Sequence, residues 1–267
     1  MKSKMRKWIV PLLAVFISLV SVFISPSAVY AGQAYLGVDT CDEVTDRRIE
    51  QATNILGHKP AFWGRYFNGL KHLGDSCEYR LTKETSVLRD AGIRVLPVAR
   101  ATTDVGGSYS LGYTNGKQHA GDFVESFRNL DGQYVIFLDV ESDRSLSTEY
   151  YQGWSEAIAS YCPHEGDCSS NVQLLPGVYL SAGDKTTSEN LQDAIRGSQS
   201  SQGSQCGGLW IADWRGSVAT EWSSYYASPA SKVDCRVLFW QDDNINQTFD
   251  ADLSNPDYDA LNYLVLP

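Results

Sequence analysis

Histidine is scarce here: four are scattered through 267 residues, and neither CxxC nor HExxH spacing occurs. A zinc centre needs several such ligands at short, regular spacing, so no metal site is expected and no organic cofactor is implied. There is no GxSxG turn to present a serine nucleophile, which leaves a serine hydrolase without support. No strand-like run is followed by a glycine-rich phosphate loop, and GGSYSLG (106–112) does not supply one. Positive charge is also short. Lys2, Lys4, Arg6 and Lys7 precede the apolar run Trp8 to Ile24 and the small-residue stretch SPSAVYAGQA, a pattern that predicts a signal peptide over 1–31, cut after Ala31. The alternative is an uncleaved membrane anchor; Pro11 and the small-residue exit favour cleavage and export. Losing the leader takes 22 basic residues to 18 against 32 acidic ones, a net charge of −14. Such a surface repels nucleic acid and anionic membrane, so neither is expected as a partner of the exported chain.

Six cysteines remain after the leader, as suits an oxidising compartment. Six cysteines allow fifteen pairings. The short loop CPHEGDC suggests Cys162 with Cys168, Cys206 and Cys235 each precede a strand-like run, and Cys41 and Cys77 are left over.

No low-complexity linker divides residues 32–267, so one domain is expected; GSQSSQGSQCGG (197–208) reads as a surface loop. Eight short apolar runs recur: YLGVDT (35–40), AFWGRYF (61–67), IRVLPVAR (93–100), YVIFLDVE (134–141), LLPGVYL (174–180), GLWIADW (208–214), VLFWQDD (237–243) and TFDADLS (248–254). Helical patterns lie between most of them: TDRRIEQATNIL, LTKETSVLRDAG with a Thr82 cap and a Gly92 stop, GKQHAGDFVESFRNL, STEYYQGWSEAIASY and TSENLQDAIRG. Alternating strands and helices predict an α/β fold with a parallel sheet, and eight strands predict a (β/α)8 TIM-type barrel. A doubly wound open sheet is the alternative. The last two runs are too close for a helix between them, so an irregular closure is expected.

Barrel enzymes act at the C-terminal ends of their strands. Here those ends carry Asp39, Arg65, Arg100, Asp139 with Glu141, Asp213 with Trp214, Gln241 with Asp242, and Asp250 with Asp252. Asp139 and Glu141 are two apart on a strand, so both face one side, roughly 6.6 Å apart along the backbone. Two carboxyl groups that close suit glycoside hydrolysis, because like charge keeps one protonated for the leaving oxygen while the other stays ionised. Glu141, longer and more terminal, is the expected acid and Asp139 the stabiliser. The plainer reading pairs either acid with Arg65 or Arg100, or uses it to cap the next helix. Trp63, Trp210, Trp214, Trp240, Tyr66 and Tyr179 lie in or beside strands, where packing is the simplest role and a sugar platform the functional one. His119 and His164 are expected at the surface, and Asn246-Gln247-Thr248 matches a glycosylation acceptor.

GVDT, LDVE, PGVYLS, LWIADW, FWQDD and DADLS, in that order, resemble the family 25 glycoside hydrolases, the Chalaropsis-type lysozymes. They resemble still more the secreted glycoside-hydrolase-like domains of unknown function related to that family, in which a glycine–aspartate first strand, an arginine-bearing second strand and a DxE fourth strand recur. The likeness spans most of residues 35–254. It implies a modified barrel that cleaves the β-1,4 link between N-acetylmuramic acid and N-acetylglucosamine in peptidoglycan, with Glu141 as acid and base. Asp139 would assist by holding the substrate's own acetamido group. Asp39 and Asp213 would match acids around the sugar, and Asp252 an acid near the barrel's end; Arg65, Arg100, Tyr179, Trp214 and Gln241 complete the expected substrate-binding set. Two departures stand out: WGRYF puts Arg65 at the second strand's end, and FWQ continues as DD where the lysozymes usually carry an aromatic. The expected partner is a polysaccharide and the expected state a monomer. The alternative is a retired hydrolase barrel that binds or scaffolds glycan without cutting it.

Overall fold

Eight strands close on themselves in sequence order: β1 (Leu36–Asp39), β2 (Phe62–Phe67), β3 (Arg94–Ala99), β4 (Gly132–Val140), β5 (Val172–Ser181), β6 (Gly208–Ala212), β7 (Val237–Ile245) and β8 (Phe249–Ser254). Five α-helices follow the first five strands: α1 (Asp46–Leu56), α2 (Leu81–Ala91), α3 (Tyr109–Ser126), α4 (Thr148–Ala159) and α5 (Lys185–Gly197). The structure is a computed structural model that describes residues 33–67, 77, 79, 81–100, 104–127, 130–141, 144–162, 171–197, 205–214, 218, 221–222, 228–245 and 248–267, without the side chains of 81, 82 and 243–245. All of them belong to the unit Ala31–Pro267. The expected leader, Cys168, His164 and the Asn246-Gln247 part of the acceptor lie outside the described residues. Among the described residues, no helix is long and apolar enough to cross a membrane.

Strands β1 to β7 run parallel, each paired with the next. β8 does not. It pairs antiparallel with both β7 and β1, because the few residues between β7 and β8 allow a hairpin but no crossover. The irregular closure therefore takes the form of one reversed strand.

Alternate residues of each strand serve two cores. Phe62, Leu96, Val98, Val135, Phe137, Trp210 and Phe239 fill the barrel, with Ala260 and Leu264 of the chain's end beneath them. Phe62 meets Phe239 at 5.0 Å between ring centres and Phe137 meets Trp210 at 6.0 Å. Trp63, Phe67, Val95, Ile136, Leu138 and Trp240 face the other way, into the layer shared with the helices. Trp63 and Trp240 are thus packing residues rather than sugar platforms.

Helix starts follow local chemistry. Thr45, Ser108 and Ser147 cap α1, α3 and α4 by accepting from the backbone N–H three residues on. α3 begins at Tyr109, well before the expected GKQHAG, so the Gly-Ser stretch supplies its cap. α2 begins at Leu81, which places Thr82 inside the helix instead of at its cap. Gly92 ends it with φ 68°, a left-handed turn that favours glycine. His119 is not at the surface. It is 3% exposed between α3 and α4, and its Nδ1 accepts from the Trp154 indole at 3.1 Å.

Disulfides join Cys41 to Cys77 and Cys206 to Cys235. Cys162 is also oxidised, while its expected partner Cys168 lies outside the described residues.

Candidate active site

β4 carries the most hydrophobic run of the barrel to the mouth and ends in acid. Val135 and Phe137 point inward below, and Asp139 continues the same row at 7% exposure. Glu141 follows two residues later, just past the strand, and is exposed. The two acids stand at the same end of β4 with a strong asymmetry of solvation, and it is Asp139, expected to be the ionised partner, that is buried. Burial pushes the Asp139 carboxyl up to about 7, the Glu141 charge adds to the rise, and the Arg100 guanidinium opposes it. Arg100 also lies over the Tyr66 ring, 5.8 Å from its centre.

A second acid group sits across the mouth. Asp39 ends β1, and its side chain has room only because residue 64 on β2 is glycine: a Cβ there would lie 2.4 Å from the Asp39 Cβ. Asp39 Oδ1 accepts from the Tyr66 hydroxyl at 3.2 Å and Oδ2 from Gln241 Nε2 at 2.7 Å. Burial and the Asp250 charge nevertheless hold Asp39 well above the ordinary carboxylate range. Register places Asp250 opposite Asp39 and Asp252 opposite Gly37. The reversal of β8 thus corrects the expected position of Asp252. Asp250 takes the mouth, while Asp252 lies one layer deeper, 1% exposed, with Oδ1 accepting from the Trp210 indole at 2.9 Å. Burial, the Asp39 charge and the Asp250 charge all raise Asp252 well above the ordinary carboxylate range.

Two hollows open between these groups. One, about 250 Å3, is lined by Glu141, Tyr179, Ser181, Asp213 and Trp214. The other, about 230 Å3, is lined by Asp39, Thr40, Asp42, Tyr66 and Asp250. Trp214 is 60% exposed at the rim of the first, as a platform for a sugar ring requires, whereas Trp210 is sealed below with Tyr179 packed on it at 4.6 Å. Burial and the surrounding acids, Asp39 first, raise both Tyr66 and Tyr179, so each hydroxyl stays a proton donor.

The expected set is therefore only partly assembled. Asp39, Asp139, Glu141, Tyr179, Asp213 and Trp214 converge, with Arg100 beside Asp139. Gln241 reaches the same place but is 2% exposed and bonded to protein groups, so it does not face substrate. Arg65 is not there. Strand alternation turns it outward, where Nε and Nη2 hold Glu84 at 2.7 and 2.9 Å and Nη1 donates to the Thr40 carbonyl. Asp250, noted only among the strand-end acids, and Tyr66, noted only as an aromatic, were not in the expected substrate-binding set. Their position two residues from Asp252 and two from Gly64 was the available signal, since same-face residues recur at that interval. Among the described residues, no cluster of three potential metal ligands occurs and no salt bridge includes Glu141.

No family model and no curated protein matches the sequence. Several solved structures are alike in fold, three of them as follows. An uncharacterized protein of B. stearothermophilus shares 19% identity at a TM-score of 0.69, over 86% of this chain and all of its own. GHIP, a glycosyl hydrolase 25 of Streptococcus pneumoniae, shares 15% identity at 0.50 over 86% of this chain and 93% of its own. The spore cortex lytic enzyme SleM of Clostridium perfringens shares 15% identity at 0.50 over 84% of this chain and 68% of its own. Likeness at this level is likeness of fold alone, here a fold shared with GHIP and SleM.

Proposed function

We propose that this protein is an exported glycosidase that cleaves a β-1,4-linked amino-sugar polymer, with peptidoglycan as its substrate. One observation carries the reading: at the mouth of a hydrolase-type barrel, a buried Asp139 held near neutrality stands beside an open Glu141 with no salt-bridge partner among the described residues. A tightly paired glutamate would have lost its use as an acid. The arginine on the second strand is committed to Glu84 instead.

In this reading a sugar stacks on Trp214, and Glu141 donates a proton to the leaving glycosidic oxygen, then takes one from the incoming water. Asp139 stands next to the developing positive charge and holds the 2-acetamido N–H, so that the acetamido oxygen attacks the anomeric carbon. Asp39 and Asp250 line the neighbouring hollow for a second sugar. Export is read from the expected leader and fits the disulfides, which an oxidising compartment preserves. The likeness to GHIP and SleM supports the glycosidase reading at the level of fold.

Incubation with purified peptidoglycan tests it. New reducing ends should appear, and borohydride should convert muramic acid, not glucosamine, to its alditol. Release from chitin oligomers but not peptidoglycan would change the substrate. Release from neither would leave the barrel as a glycan-binding protein.

A further inference from the structure

Gln241 stands between the two hollows and touches the open space of neither. Its Oε1 accepts from the Tyr179 hydroxyl and from the Trp214 indole, both at 2.8 Å, and its Nε2 donates to Asp39 Oδ2 at 2.7 Å. The partners fix which end is which. An indole N–H can only donate, so oxygen must face Trp214, and the amide nitrogen is then left for the carboxyl of Asp39. The backbone adds a fourth tie, because the Asp213 N–H donates to the Gln241 carbonyl at 2.9 Å. Trp214, at 60% exposure, has little packing to hold it, so this side-chain bond is what orients the indole over the hollow beside Glu141. Asp39 lines the other hollow.

We infer that Gln241 is a positioning residue that links the two hollows: it holds the Trp214 indole in one and the Asp39 carboxyl in the other, so that a change at either is felt across the mouth. The link itself stands on hydrogen-bond geometry; its consequence for turnover rests on the glycosidase reading. Asp39 is faced by Tyr66 from β2, Asp139 from β4, Gln241 from β7, and Asp250 and Asp252 from β8. Trp214 shares its hollow with Glu141, Tyr179 and Asp213. The test must therefore read a contact that these neighbours do not make.

Hydrogen exchange of the Trp214 indole N–H in the full chain does so, with the resonance assigned by its absence in Trp214→Phe. Asp39→Ala removes a group joined to Trp214 through Gln241. It should speed that exchange roughly threefold or more, about the worth of one hydrogen bond. Gln241→Leu should do the same, and a smaller change in Asp39→Ala overturns the link. Should Asp39→Ala not fold, Trp214→Phe at its exposed position asks the question from the other side. The Gln241 side-chain amide protons should then exchange faster, and unchanged exchange overturns the link. In turnover, Gln241→Glu keeps both acceptor contacts and loses the donor to Asp39, so kcat should fall about tenfold while KM stays within about twofold. A raised KM at unchanged kcat contradicts that role. If the wild type cleaves no glycan while the exchange link holds, the glycosidase reading fails and the positioning role of Gln241 remains.

Discussion

Two of the places where this barrel buries charge are handled in opposite ways. Outside the strands, Arg65 and Glu84 are both 0% exposed and meet through two parallel hydrogen bonds, with the Thr40 carbonyl taking a further donor. Inside the mouth, Asp39, Asp139 and Asp252 are buried among other acids, and what relieves Asp39 is a phenol and an amide, not a cation. The first arrangement holds α2 to the barrel, and its geometry leaves no group free to react. The second is costly to fold and raises its carboxyl groups, Asp139 to about 7, which acid–base chemistry can use. Matched charge marks scaffold and crowded like charge marks the candidate site.

Breaking the matched pair should cost most. Glu84→Ala strands a fully buried guanidinium and should destabilise the fold by about 3–5 kcal/mol in urea unfolding. A loss below about 1 kcal/mol would mean that Arg65 finds another acceptor.

Relieving the crowded acids should do the reverse. Asp139 binds its proton more tightly folded than unfolded, so the folded state holds more protons between the ordinary carboxylate range and about pH 7, and stability falls as pH rises through that window. Asp139→Asn should therefore gain on the order of a few kcal/mol at pH 8 and nothing at pH 3, read from urea midpoints at both. Equal midpoints for wild type and variant at pH 8 would show that Asp139 is not strained there.

Crowding can also be sharpened without changing charge. Gly64→Ala brings a methyl against Asp39 and should cost about 1–3 kcal/mol by overpacking, with thermal unfolding as the measure. Smallest of all is the exposed Arg48–Asp42 pair. Asp42→Ala should shift stability by less than about 1 kcal/mol, and added salt should erase even that.

Much of this was legible in the sequence. Alternating apolar runs and helical stripes gave the barrel, and Asp139 with Glu141 stood out because a buried strand has no structural use for two acids. Strand parity was harder. Phe62, Gly64 and Tyr66 against Trp63, Arg65 and Phe67 offer two aromatic faces, and only the closed sheet reveals that Arg65 belongs to the outer one. The short β7–β8 connection announced an irregularity, yet its effect, the exchange of Asp250 for Asp252 at the mouth, appears only once β8 pairs antiparallel with β1. Gln241 was legible as polar and near the site, but its role depends on Asp39, 202 residues away in sequence, and on Trp214 and Tyr179. No local pattern encodes such a convergence.

The central claim is that Glu141 is there for chemistry and not for structure. Reducing-end release from peptidoglycan, measured for wild type and Glu141→Gln side by side with their melting temperatures, tests it most directly. Release should fall by about a hundredfold or more while the melting temperature stays put, since an exposed side chain with no salt bridge among the described residues supports little of the fold. Wild-type release that survives intact in Glu141→Gln would contradict the account.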